Sequence, residues 1–458
     1  MVESWDAIVI GAGQAGPSLA VRLANAGRRV ALIERERLGG TCVNNGCIPT
    51  KTLVASARVA HVVRTAQSFG VTSAPPTVDL AAVKARKDAV VQQSRDGLGR
   101  WIGATKGLEL IIGEGRFVAE RTVAVGDREL TAPLVVINTG GRPVVPDWPG
   151  LDRVPYLTNV EMMELDRLPE HLIVAGGSYI GLEFAQMYRR FGARVTVVEY
   201  ADRLIAREDD DVSAAVRSLL ESEGIDVHVG ARDFSVAGSA GDLRLHFTSQ
   251  GTPVGIEGSH LLLATGRRPN VEQLNLPATG VAQDARGFVT VDARLATSVP
   301  GIYALGDVNG RGAFTHTSYN DYEILVANLL DQGDRTLDAR LTAYALYTDP
   351  PLARVGLTAR EALASGRRIL RGTLPMQRVG RARERGETTG FMSILVDAET
   401  DLIVGATLFG IEADEVIHVL LHAMAAGRTA TQFRQVMPVH PTVSELLPTL
   451  LEQLSPLQ

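Results

Sequence analysis

Two cysteines, Cys42 and Cys47, are all that 458 residues contain. That scarcity excludes a disulfide-built scaffold and a cysteine zinc site, which needs four ligands. No window approaches the roughly 18 consecutive apolar residues of a bilayer-spanning helix. No apolar leader precedes Trp5 either, because the first apolar run leads straight into a glycine-rich turn. A cytoplasmic protein is expected on that ground. Positive charge is not in excess: the formal net charge is −6 and basic residues are scattered, so neither nucleic acid nor an anionic membrane is an expected partner. The length leaves room for two to four domains.

Both cysteines lie in Gly39-Gly40-Thr41-Cys42-Val43-Asn44-Asn45-Gly46-Cys47-Ile48-Pro49-Thr50-Lys51. Four residues separate them, three of these Asn or Gly, which predicts a loop that brings the sulfurs within disulfide reach. Pro49 suits the first turn of a helix continued by Leu53, Val54, Ala57, Ala60 and Val63. Cys47 then sits at a helix N-terminus, where partial positive charge stabilises a thiolate. A structural disulfide, or two unrelated buried thiols, would present the same pair. A reducing compartment argues against the first, and a redox-active pair is the expectation.

The surrounding chain contains two nucleotide-binding patterns. Strand-like Ala7–Ile10 enters Gly11-Ala12-Gly13-Gln14-Ala15-Gly16, a GxGxxG turn opening a small-residue helix through Ala24. A second strand, Arg29–Ile33, ends in Glu34, placed to hold a ribose hydroxyl. The series returns at Leu172–Ala175, Gly176-Gly177-Ser178-Tyr179-Ile180-Gly181, a helix over 182–191 and Arg194–Val198 ending in Glu199. Ser178 replaces the middle glycine there. Two dinucleotide sites and a dithiol imply an electron relay.

Residues 58–103 read as mostly helical with a break at Ala74-Pro75-Pro76, followed by strands at Leu108–Ile112, Arg121–Val125 and Leu134–Ile137. Asn138-Thr139-Gly140-Gly141-Arg142-Pro143 and Leu261–Asn270 mark exits from a first and a second domain. Gly301–Asp307 re-enters the first with a carboxylate at its strand end, and after residue 335 the pattern changes to a third domain. The expected fold is α/β. The first domain takes 1–145 and 270–335, the second 146–269, and an α+β third domain 336–458. Near the end, His440 and Glu445 stand five residues apart, a spacing that lets the acid orient and charge the imidazole.

With these motifs in this order, the whole chain resembles the flavin-dependent pyridine nucleotide–disulfide oxidoreductases, which include dihydrolipoamide dehydrogenase, glutathione reductase and mercuric reductase. The resemblance implies FAD, with Gly11, Gly13, Gly16 and Glu34 on its adenosine side, Gly115 by its adenine and Asp307 at its ribityl and phosphate region. The implied cofactor-binding positions also include Thr41, Gly140, Gly176, Gly181, Glu199 and Gly266. Cys47 matches the flavin-contacting thiolate and Cys42 the interchange thiol. Lys51, paired with Glu183, matches the lysine beside the flavin, and Tyr179 the aromatic gate over the nicotinamide pocket. His440 and Glu445 match an acid–base dyad that reaches the dithiol of the other subunit, so a homodimer is implied.

Glu199 repels a 2′-phosphate, and Tyr200 and Ala206 stand where NADPH users place arginines, which favours NADH over NADPH. Phe314–Tyr322 and Thr348–Gly356 resemble a mercuric-reductase-like branch, although no cysteine pair follows Cys47. The expected acceptor is a small disulfide, a quinone or a soft metal ion. Dihydrolipoamide dehydrogenation within a 2-oxoacid complex, or flavin transhydrogenation (diaphorase activity) with idle cysteines, are the alternatives.

Overall fold

The computed structural model describes residues 1–457. Ala7–Ile10 (β1) and Leu134–Ile137 are buried at every position, as central strands covered on both faces must be. Turn and helix follow β1 directly, with α1 spanning Ala15–Asn25 and β2 Val30–Glu34. A short helix α2, Gly40–Asn44, then precedes the long helix α3, Cys47–Thr65. The first sheet is parallel in the order 302–304, 134–137, β1, β2, 108–112, so a strand from far along the chain completes it.

The second sheet repeats this plan with His171–Ala175 (β3), helix α4 at Tyr179–Phe191, and Arg194–Val198 (β4). Strands 226–228 and 260–263 flank the pair, and all four are parallel. Two additions, one antiparallel and one mixed, have no counterpart in the sequence-based expectation. A three-stranded meander covers Ala231–Gly258, and a small sheet joins Val2–Ser4 to hairpins between residues 116 and 131. The strand expected over Arg121–Val125 is present as Thr122–Val125, and a further strand, Arg116–Ala119, precedes it.

From Ala343 onward the architecture changes to a six-stranded antiparallel sheet, with Ala343–Leu346 (β5) and Leu352–Gly356 (β6) at one side and a helix over Ala413–Ala425 packed on it. Its core, centred on Met376, Met392, Ile394, Leu408 and Leu420, is separate from those of the parallel sheets. Each such side chain contributes about 1.5–3 kcal/mol on burial. The α/β class is as expected. Among the described residues no helix is long and apolar enough to cross a membrane.

Candidate active site

The loop expected between the cysteines is tight: Asn45 and Gly46 form a turn into Cys47, and Val43 and Asn44 are the end of the helical turn α2. Asn44 closes it from within, its amide donating to the carbonyls of Leu38 at 3.0 Å and Gly40 at 2.8 Å. Gly39 and Gly40 take φ of +95° and +58°, and a Cβ on Gly40 would collide with Gly13 Cα. The backbone N–H of Gly39 donates to Ala12 O at 2.9 Å. The cysteine turn is therefore docked on the first glycine-rich turn, and only glycine permits the approach.

Cys47 is the first residue of α3, as its flanking Pro49 predicted. Its Sγ lies 3.0 Å from Thr315 Oγ1. A hydrogen bond from the Cys42 thiol, then that of Thr315, then the nearby Lys51 ammonium hold the Cys47 thiol down, at about 6, against burial. The same contact, with burial, pushes Cys42 up. The pair thus shares one proton, carried by Cys42, with the negative charge on Cys47. Thr315 was quoted in the sequence only as part of a family-like stretch; no spacing rule links it to residue 47.

Lys51, one turn along α3, points its ammonium at Glu183 of α4, with Nζ 3.0 and 2.8 Å from the two carboxylate oxygens. The pair joins the dithiol helix to the second dinucleotide unit. Glu183 also accepts the backbone N–H of Tyr347 at 2.9 Å, and the Tyr347 ring lies 4.5 Å below the Lys51 ammonium. Tyr347 had no signal in the sequence.

Both glycine-rich turns are built alike. Gly11 and Gly176 have φ of +107° and +117°, and a Cβ on either would overlap the carbonyl of the adjoining strand, at Asn138 and Ala264. Gly16 and Gly181 leave no room for a Cβ against the carbonyls of Gly11 and Gly176. A Cβ on Gly13, in contrast, would meet Asn138 Nδ2 only at an ordinary contact distance of 3.5 Å, so its glycine is not demanded by internal packing but leaves the turn's backbone bare for a pyrophosphate to approach. At the strand ends, Glu34 accepts from Ala12 N at 2.8 Å and Glu36 N at 2.9 Å. Glu199 accepts from Gly177 N, and from Ala201 N at 2.6 Å. Each carboxylate is locked beside its turn. These donors, glycines and acids fit a dinucleotide at each site.

Asp307 follows the strand 302–304, and its carboxylate is 3.7 Å from the Arg267 guanidinium. Burial raises its pKa and Arg267 opposes that rise. Arg267 also bonds the Gly141 carbonyl at 2.5 Å and reaches Thr41 Oγ1 at 3.4 Å. Thr41, Gly140 and Asp307 are thereby drawn to one seam, where the strands 141–143 and 267–269 pair. Gly266 adjoins that seam. Gly115 packs its backbone on Ile10, Ile33 and Val123.

Tyr179 is turned toward the third domain, its hydroxyl donating to Glu208 Oε1 at 3.0 Å. His440 stands apart. Its side chain is 80% exposed, its Nδ1 is 2.8 Å from Glu445 Oε2, and no hydrogen bond or ion pair among the described residues joins it to either cysteine. A groove of about 650 Å³ between the second sheet and its meander is lined by His171, His228 and His246 among others, and by none of these site residues.

The pattern of the pyridine nucleotide-disulphide oxidoreductases matches residues 5–321, and that of their dimerisation domain matches 342–451. The chain belongs to this family. It is an NAD(P)H-dependent flavoprotein oxidoreductase, and the family is FAD-dependent. It is 35% identical to the probable pyridine nucleotide-disulfide oxidoreductase RclA of Escherichia coli, over 97% of this chain and 98% of that one. It is 33% identical to the dihydrolipoyl dehydrogenase of Bacillus subtilis, over 98% and 97% of the two chains. It is also 33% identical to a mercuric reductase of Bacillus cereus, covering 96% of this chain but 70% of that protein. The solved structure of the Cu(II) complex of E. coli RclA, an HOCl-induced flavoprotein disulfide reductase, superposes with a TM-score of 0.90 at 34% identity, over 99% of each chain.

Proposed function

We propose that this flavoprotein passes electrons from NAD(P)H to the Cys42–Cys47 disulfide and on to a small disulfide, a quinone or a soft metal ion. The observation that carries the reading is the division of labour within the dithiol. Cys47 holds the charge on a turn seated against the first dinucleotide cradle, and Cys42 keeps the proton.

When bound, FAD supplies a two-electron exchange between nicotinamide and disulfide. The protein's residues do the rest. Reduction breaks the S–S bond, leaving Cys47 as thiolate and Cys42 as thiol. Lys51, fixed by Glu183, would supply positive charge to the reduced flavin. His440, oriented by Glu445, takes the Cys42 proton, so that the Cys42 thiolate attacks a disulfide acceptor. The first leaving thiolate takes the proton from His440. Cys47 then attacks the Cys42 sulfur, expels the second thiolate and restores the disulfide. A soft ion binds the same two sulfurs, and among the described residues no other group of three or more His, Cys, Asp or Glu gathers to hold one.

In this reading Gly11, Gly13, Gly16, Glu34, Thr41, Gly115, Gly140 and Asp307 hold FAD, and Gly176, Gly181, Glu199 and Gly266 hold the nicotinamide nucleotide, NADH by preference. Tyr179 covers the nicotinamide pocket. The division into domains at 145/146, 269/270 and 335/336 belongs to the same reading, with the strands 141–143 and 267–269 pairing across the first two boundaries. The exposed His440 serves a second copy of the chain in a cytoplasmic homodimer. Dihydrolipoamide oxidation is the second reading, because dihydrolipoyl dehydrogenases match end to end.

The test is a panel of small disulfides, dihydrolipoamide, quinones, Cu(II) and Hg(II) assayed with the wild type and Cys42→Ser. Dithiol-dependent acceptors should lose at least about a thousandfold in kcat/KM in the variant, while quinone reduction persists. Equal turnover of disulfides or metals by Cys42→Ser contradicts the proposal.

A further inference from the structure

Glu208 is fully buried, and so is its partner Arg354 on β6. Arg354 Nε and Nη2 lie 2.7 and 2.6 Å from Glu208 Oε2. Glu208 Oε1 accepts two phenols, Tyr179 at 3.0 Å and Tyr344 of β5 at 2.7 Å. Burial first, then the Glu208 charge, raises both phenol pKa values, so both remain donors. Arg354 also binds Asp209 Oδ2 at 3.0 Å, and Asp209 accepts the backbone N–H groups of Ala359 and Arg360.

A buried ion pair is a poor device for stability alone, since well-packed apolar residues do as well or better. This one gathers a tyrosine from the second dinucleotide unit and a tyrosine from the antiparallel domain onto one oxygen. The ring of Tyr179 is confined as well, edge-on to Phe314 at 6.0 Å and to Tyr344 at 5.7 Å, while Phe314 and Tyr344 stack at 5.4 Å. Thr315, beside Phe314, is the residue bonded to Cys47.

We propose that Glu208 is a positioning residue that latches Tyr179 over the nicotinamide pocket, with Arg354 and Tyr344 anchoring the latch in the neighbouring domain. This rests on Tyr179 covering that pocket. When Tyr179 swings away, Glu208 keeps Tyr344 and Arg354, so opening breaks one hydrogen bond without orphaning a buried charge. Binding of the nicotinamide nucleotide is reduced by the fraction of molecules that are latched shut.

The experiment is calorimetric titration of the oxidised holoenzyme with NAD+ and NADP+, following whichever binds, alongside KM and kcat for the reduced form. Tyr179→Phe, which keeps the ring and loses the latch bond, should tighten binding by about fivefold and lower KM in step. Glu208→Gln should move affinity the same way by less. The pair E208L/R354M removes the acceptor and its opposing charge together, so that no guanidinium is left unpaired, and should match Tyr179→Phe. Added to Tyr179→Phe, it should change nothing further. Unchanged affinity in E208L/R354M, or the same change with and without the Tyr179 hydroxyl, overturns the latch while leaving the gate. No effect of Tyr179→Phe overturns the latch alone, and no effect of Tyr179→Ala, which removes the ring as well, overturns the gate on which the latch rests.

Discussion

At the scale of single residues, the reactive sulfur is defined by its neighbours. Cys47 owes its thiolate to Cys42, Thr315 and Lys51, which together outweigh burial. The charge on an acid with a lowered pKa is present above that pKa and lost below it. The long-wavelength absorbance of a thiolate against flavin, in the two-electron-reduced protein, should therefore hold at pH 7 and fade with a midpoint near pH 6 on acidification. Thr315→Val removes a hydrogen bond to the charged sulfur and should move that midpoint toward neutrality, whereas an unmoved midpoint assigns the thiolate to Cys42 and Lys51 alone. Thr315 could not be read from the chain, because 268 residues separate it from Cys47. Glu208 and Arg354 are 146 apart and equally silent.

At the scale of elements, the legible parts were those whose physics is local. β1, β2, β3 and β4 are buried on both faces and read as apolar runs, and glycine marks each turn where a Cβ would strike a carbonyl. The loop read between the cysteines is a turn at Asn45 and Gly46 but helical at Val43 and Asn44, because the Asn44 amide closes α2 through the carbonyls of Leu38 and Gly40. The meander over 231–258 was missed because its exposed alternation and glycines resemble linker sequence.

The two glycine turns make a paired prediction. Gly16→Ala should weaken FAD binding by about tenfold or more through overpacking and yield a largely colourless protein, read as the flavin-to-protein absorbance ratio. Gly181→Ala should stay yellow but bind the nicotinamide nucleotide more weakly by a similar factor. Loss of flavin in both variants would mean that the second turn acts on the fold rather than on its own nucleotide.

At the scale of the whole molecule, the dithiol adjoins the first glycine-rich turn, Lys51 reaches α4 beside the second through Glu183, and Arg58 on the dithiol helix and Arg190 on α4 both bind Asp349, between β5 and β6 of the antiparallel sheet. His440 alone lies out of reach, with exposed Val436, Met437 and Val439 beside it. If it serves the partner's dithiol, mixing Cys47→Ser chains with His440→Ala chains should regenerate disulfide reductase activity. A mixed dimer holds one intact site of two, and random pairing makes half of the dimers mixed, so recovery should approach about a quarter of wild type. No recovery would place the dyad and the dithiol in one chain.

The central step is the passage of electrons through Cys42 and Cys47. An anaerobic titration of the oxidised holoenzyme with NADH or NADPH, recording the visible spectrum after each addition, tests this most directly. A broad long-wavelength band that is complete at about two electrons per flavin, with the main flavin absorbance largely retained, is the predicted result. Simple bleaching of the flavin, with no such band and both thiols still unreactive toward alkylation, would put the cysteines outside the path.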